Sequence, residues 1–289
     1  MSDRWQRWAE ARLGVAVRLR AAGHPDGEAR VWRAEAEDGE PLAYLKQHRV
    51  HDKWRRERTI LAQLRRPPAA PVPELLDSDE PGLALLLRTC PGVPATALSL
   101  APVVERSLHE QAGRFRQRLD AVPVEEDDPL PLPEALARRL RAWLERARPS
   151  LPLALLQRVE AAFDASSFDG ATRRWCHRDL GPHNWIVEPT VGGPRLHVID
   201  FGQARPDVWL VDVLKLWDDA WAREPALADA FFTGYGRPPD RAETEQLRQL
   251  ALLHGLATAA WGDHHGHAGF SRHGRAVLER ALERPGTGS

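Results

Sequence analysis

The stretch Trp175-Cys176-His177-Arg178-Asp179-Leu180-Gly181-Pro182-His183-Asn184-Trp185-Ile186-Val187 decides how this chain is read. Asp179 stands in a loop bounded by Gly181-Pro182, and Asn184 follows five positions later. The apolar run Trp185-Ile186-Val187 then reads as a short strand. A second apolar strand spans Leu196 to Phe201 and carries Asp200, with Phe201-Gly202 behind it. If the two strands form a hairpin, Asp179, Asn184 and Asp200 converge at one end of it.

Two carboxylates and an amide at one point are hard oxygen donors, the type Mg²⁺ prefers. Phosphoryl transfer needs oxygen ligands of this kind for Mg²⁺, a carboxylate beside the acceptor hydroxyl, a cation on the phosphates and a partner that orients the cation. Lys46 closes a predicted strand, and Glu57 lies eleven residues on, in the next predicted helix. The chain has only three lysines, Lys46, Lys53 and Lys215, among 40 basic residues. In so Arg-rich a chain a retained Lys marks a place where a compact ammonium is needed, because the two side chains are not interchangeable.

Outward from this centre, the chain changes character once. Before it, the patterning predicts a helix over Arg4–Leu13 and strands over Val15–Leu19, 29–36 and 41–47, with Asp38-Gly39 as a hairpin turn. A helix over Asp52–Leu64, stopped by Pro67-Pro68, and a buried strand over Leu83–Leu87 complete a small β-rich lobe. From Ser99 the periodicity turns helical, over about 99–120, 134–148, 152–164 and from Trp209 onward. Breaks are expected at Gly234–Pro239 and around Gly262. The predicted class is α+β, two-lobed: an antiparallel-sheet N-terminal lobe over 1–91 with one main helix, and a larger helical lobe over 92–289. A ligand cleft is expected between them.

Composition sets bounds on partners. The 289 residues carry a formal net charge of −1, so no global basic field recruits nucleic acid. No apolar run reaches the roughly 20 residues that span a bilayer. Two cysteines, Cys90 and Cys176, imply no disulfide framework, and the charged N-terminus has no signal-peptide core. A cytoplasmic, bacterial protein is expected, with no membrane and no nucleic-acid partner.

The motifs together resemble the aminoglycoside phosphotransferase/choline kinase type of protein-kinase-like fold, from about Val15 to about Gly262. WRRERTILAQL (54–64) resembles its Glu-bearing helix, and PVPELLDSDEPGLALLLRTCPG (71–92) its run into the interlobe hinge. FFTGYGRPPD (231–240) and VIDFGQARPDVWLVDVLKL (198–216) also fit. The resemblance implies an enzyme using ATP and Mg²⁺ to phosphorylate a hydroxyl. Asp179 would orient the acceptor and take its proton, while Asn184 and Asp200 would hold Mg²⁺. Lys46, held by Glu57, would contact the α/β-phosphates, and the backbone of Arg88 and Cys90 would meet the adenine edge. Asp212 would be buried in support of the catalytic loop, and His177 would pack and hydrogen-bond within it.

Three features depart from the family pattern: Arg178 stands where Gly is commoner, AAGHPDGEA (21–29) is not a regular phosphate-binding glycine loop, and the Lys46–Glu57 spacing is short. Helical patterning resumes soon after Gly202, so there is no room for the long activation segment with which protein kinases dock peptides. A small acceptor, metabolite or aminoglycoside-like antibiotic, is expected; a protein Ser/Thr kinase or a non-catalytic nucleotide-binding pseudokinase are the alternatives. Glu125–Asp128 and Asp218-Asp219 are candidate contacts for a polycationic acceptor. His264, His265, His267 and His273 fit no established zinc spacing and read as surface.

Overall fold

The computed structural model describes residues 2–23, 29–66, 70–124 and 128–283. His24–Glu28 at the centre of the expected phosphate loop, the Pro67-Pro68 helix stop and Glu125–Asp127 lie outside them. The chain opens with α1 (Ser2–Leu13), β1 (Arg18–Ala21), β2 (Ala29–Glu35), β3 (Pro41–His48), α2 (His51–Leu64), β4 (Leu75–Asp79) and β5 (Ala84–Arg88). The five strands form one antiparallel sheet in the order β1-β2-β3-β5-β4. Asp38-Gly39 turns the chain between β2 and β3, as its sequence requires: Gly39 has φ 89°, and Asp38 Oδ1 accepts from Glu40 N at 3.0 Å. Trp5, Ala9, Val17, Ala34, Leu45 and Leu86 pack into the core beneath this sheet.

β1 begins at Arg18, three residues later than the patterning suggested. Gly14 closes α1 at φ 73°, its N–H on Glu10 O at 2.8 Å, and the connection then sends Val17 into the core. Residues 15–17 are therefore spent on crossing from helix to sheet.

Onward follow β6 (Val93–Pro94), α3 (Pro102–Asp120), α4 (Leu132–Ala147), α5 (Leu153–Ala162) and β7 (Arg174–Cys176). Then come β8 (Trp185–Glu188), β9 (Arg195–Val198), β10 (Arg205–Asp207), α6 (Leu214–Asp218), α7 (Ala220–Arg223), α8 (Ala226–Tyr235), α9 (Arg241–His264) and α10 (Ala268–Glu283). β8 pairs with β9 and with β6, and β7 pairs with β10. No helix among the described residues is long and apolar enough to cross a membrane.

Two compact units divide the chain. The first comprises residues 1–122, 177–205 and 229–236; the second comprises 123–176, 206–228 and 237–289. In the first, α3 and the end of α8 touch backbone to backbone: a Cβ on Gly113 would lie 1.9 Å from Phe231 O, and one on Gly234 would lie 1.8 Å from Glu110 O. In the second, α9 starts on a capping box in which Asp240 accepts from Glu243 N at 2.8 Å and Glu243 accepts from Asp240 N at 3.0 Å. The break expected around Gly262 falls three residues later, at 265–267, and α9 runs through Gly262 to His264. Gly262 serves contact instead, because a Cβ there would lie 2.4 Å from Ser271 N on α10. The chain turns at Gly266, with φ 70°.

Candidate active site

The β8–β9 hairpin sets the geometry. Its register pairs Trp185 with Val198, so Asn184 and Ile199 face each other at its open end, and Ile199 N donates to Asn184 O at 3.0 Å. Asp200 follows directly. Asn184 is buried and reaches back into the preceding loop, donating from Nδ2 to Asp179 O at 2.9 Å and to Asp179 Oδ2 at 3.1 Å. Asp179, Asn184 and Asp200 are thus brought together, and all lie in the first unit.

Two of these loop positions take left-handed backbone without being glycine. Arg178 and Asp200 each have φ 65°, a conformation that costs an L-residue roughly 1–3 kcal/mol. Packing on both sides holds it: the His177 ring nitrogen Nε2 bonds Ile199 O at 2.9 Å, and its ring meets Phe201 edge-on at 4.7 Å. Phe201 is buried against Phe115. His177 therefore sits where the packing reading put it.

Lys46 arrives from β3. Its neighbours Val31 on β2 and Leu85 on β5 fix its place in the sheet. The ammonium lies 2.9 Å from Glu57 Oε2 on α2 and 2.7 Å from Asp200 Oδ1. The short spacing is no obstacle, since α2 starts three residues after β3 and folds straight back beside it. Burial works against the Lys46 ammonium, but the two carboxylates outweigh it and hold its pKa above the ordinary value. Burial likewise opposes the Glu57 carboxylate, and Lys46 with His48 outweighs that, so Glu57 stays ionised below the usual range. Asp200 is also held low, partial desolvation being overcome by Lys46 and by the Gly202 N–H at 3.2 Å. Its side chain remains 54% exposed, open to a further cation. At Gly202 a Cβ would stand 3.2 Å from both Asp200 Oδ1 and Lys46 Nζ.

Two neighbours of the candidate residues escaped the sequence reading. His48 Nε2 lies 2.8 Å from Glu57 Oε2, fully buried. It stands two residues past Lys46 and so shares its face of β3, which alternation alone could have shown. His183 Nε2 lies 3.0 Å from Asp179 Oδ1. The 3-10 turn Pro182–Asn184 carries it there, and a His adjacent to a ligand-type Asn was the available hint.

The remaining candidates are placed as follows. Arg88 N is committed to Glu74 O at 2.8 Å, and its guanidinium to Glu74 Oε2 at 2.7 Å. Cys90 is partly buried, and burial beside Glu188 pushes its thiol up to about 12, which favours the protonated form. Asp212 is buried in the second unit. Asp218 does not face an open acidic pocket; its side chain is 1% exposed, with His273 Nε2 at 2.6 Å and the Arg280 guanidinium against it. Asp219 is exposed and paired with Arg223 at 3.2 Å, and Asp128 with Arg138 at 3.2 Å. His264, His265 and His267 are exposed, and the latter two stack on Trp261.

Comparison with known proteins bears on the family and the fold. A family model described as "Phosphotransferase enzyme family" matches residues 19–255. No curated protein sequence matches the chain. Among solved structures, a thermostable mutant of aminoglycoside phosphotransferase APH(4)-Ia superposes with a TM-score of 0.71 at 15% identity, covering 98% of this chain and 100% of that one. The GDP and kanamycin complex of APH(2")-IIia gives 0.69 at 16%, covering 96% and 98%. Macrolide 2'-phosphotransferase MphH from Brachybacterium faecium gives 0.59 at 22%, covering 98% of each. At these identities the likeness establishes a shared kinase-like fold.

Proposed function

The chain belongs to the phosphotransferase enzyme family, and from that premise we propose that it transfers the γ-phosphoryl group of MgATP to a hydroxyl of a small molecule, with Asp179 beside the acceptor. The observation that carries this reading is the contact of Lys46 with both Glu57 and Asp200, at the end of the hairpin where Asn184 holds Asp179.

Each side chain has a task its surroundings permit. Asp179 accepts from Asn184 on one oxygen and meets His183 on the other, which fixes the plane of the carboxylate. So held, it orients the acceptor hydroxyl and receives its proton as the oxygen attacks. Lys46 leaves Asp200 for the nucleotide phosphates while Glu57 retains it. Arg88 and Cys90 lie at the end of β5, where the adenine edge would be met by their backbone; with the Arg88 N–H already committed, that contact falls to the carbonyl or to Cys90.

The donors present fit Mg²⁺. Asp200 offers a half-exposed carboxylate, and Asn184 spends its side-chain nitrogen on Asp179, so its oxygen is the atom that would meet a cation. When bound, the ion would neutralise charge on the transferring phosphates.

The acceptor is small. α6 opens at Leu214, twelve residues after Gly202, and short 3-10 turns and β10 fill the interval, so no peptide platform follows. The related structures are aminoglycoside or macrolide phosphotransferases, and both antibiotic classes belong among the acceptors tested. Asp218 supplies no charge to a polycation, because its own partners already surround it.

The test is a coupled ADP-release assay with MgATP against aminoglycosides, macrolides, choline, homoserine, thiamine and sugars. Turnover should appear with one class and fall by roughly 10²–10⁴-fold in Asp179→Asn, while the nucleotide still raises Tm. Unchanged turnover in a verified Asp179→Asn protein would remove Asp179 from the mechanism.

A further inference from the structure

In the second unit three helices bring together side chains that the proposed reaction does not use. Asp218 ends α6, His254 lies within α9 and His273 within α10. One ligand atom from each lies within 4.8 Å of the others. The convergence is built into the backbone. Gly255 and Gly274, the neighbours of the two histidines, let α9 and α10 close together: a Cβ on Gly274 would lie 2.3 Å from Ala259 N, and one on Gly255 would lie 2.9 Å from Gly274 O.

The carboxylate is held by ion pairs alone. Its side chain is 1% exposed, and a buried carboxylate requires a cation with well-directed partners. His273 Nε2 and the Arg280 guanidinium are close to it. Yet neither Asp218 oxygen has a hydrogen bond of acceptable geometry. A buried carboxylate whose ion pairs include no hydrogen bond of acceptable geometry, with two imidazoles converging on it, describes a place for an ion.

We propose that Asp218 Oδ2 and one ring nitrogen each of His254 and His273 bind a single Zn²⁺-class transition ion, with water completing the shell. Two imidazoles and one carboxylate suit Zn²⁺, Co²⁺ or Ni²⁺, whereas Mg²⁺ takes oxygen donors. The site is therefore chemically distinct from the Asn184/Asp200 pair. Arg280 lies against Oδ1, in the place of the outer partner that holds a ligating carboxylate in one orientation. Tetrahedral bonds of about 2.0–2.2 Å put donor atoms roughly 3.4 Å apart, so His273 Nε2, at 2.6 Å from Asp218 Oδ2, must swing out slightly to admit the ion. His273 is 46% exposed and can rotate to do so. Binding displaces any proton that His273 shares with the carboxylate, and ties α6 to α9 and α10 as a structural clamp.

The exposed His264, His265 and His267 could capture zinc on their own, so the experiment is done in a background carrying His264→Ala, His265→Ala and His267→Ala. Full-length protein is stripped with chelator, exchanged into micromolar ZnCl₂ and passed through a desalting column. Bound zinc is counted by mass spectrometry, and Tm is read with and without the ion. One zinc per chain and a Tm gain of several degrees are expected, both lost in His254→Ala and in His273→Ala. Zinc that disappears with the background substitutions, or survives both single substitutions, overturns the proposal, as does the absence of retained zinc. Asp218→Asn should also abolish binding; if that variant does not fold, the two histidine variants decide the question.

Discussion

Replacing Glu57 by Gln isolates what the buried pair contributes, because the shape is kept and the charge removed. Glu57 is 1% exposed and carries Lys46 at 2.9 Å and His48 at 2.8 Å. Breaking a buried pair costs about 3–5 kcal/mol. Here the low end applies, since Lys46 keeps Asp200 at 2.7 Å. That residual contact is also the functional defect. In the wild type Glu57 shares the ammonium with Asp200 and so weakens its hold on that carboxylate; in the variant Lys46 rests on Asp200 alone. Losing one charge-assisted hydrogen bond is worth about 1.5–3 kcal/mol, so the Mg²⁺ concentration giving half-maximal ADP release should rise roughly 10- to 100-fold. Titrating Mg²⁺ at fixed ATP reads this directly, and the urea midpoint reads the stability loss of about 3 kcal/mol. A folded variant with unchanged Mg²⁺ dependence would refute the view that Glu57 draws Lys46 away from Asp200.

Further outcomes follow from side chains the proposed chemistry leans on less directly. His183→Ala should lower kcat about tenfold with nucleotide KM unchanged, the scale of one hydrogen bond to a charged group at Asp179 Oδ1. His183→Gln, which keeps a nitrogen within reach, should restore most of it; equal kcat in all three proteins would make His183 a bystander. His109 is fully buried against the Trp185 ring, and burial lowers its pKa to about 4. The folded state thus refuses a proton that the unfolded chain accepts at about 6.5. The associated stability is complete above that value and lost as pH falls toward 4. Between about pH 7 and pH 4.5 it amounts to roughly 2.5 kcal/mol. His109→Gln should lose less stability than the wild type over that interval, by urea midpoints at each pH; parallel losses would place the proton elsewhere.

The reach of the sequence was set by how far apart partners lie along the chain. Asp179, Asn184 and Asp200 were legible because one short hairpin joins them, and its register follows from alternation. Lys46 and Glu57 were legible once strand and helix were recognised as consecutive. Asp218 was not: as one of two adjacent acids it looked like an open acidic face. Its partners His254, His273 and Arg280 come from two helices 36 to 62 positions downstream. Gly262 shows the same limit for an uncharged residue. A glycine in a helical pattern signals either a stop or a close approach, and only the arrival of Ser271 on α10 makes it the second. His48 and His183 failed for a different reason. Each was local, and each was passed over because histidine carries no fixed role until a carboxylate stands beside it. Those two histidines aside, a grouping was readable where both partners lay on one local motif; where the second partner came from a distant helix, the residue's type was visible and its neighbours were not.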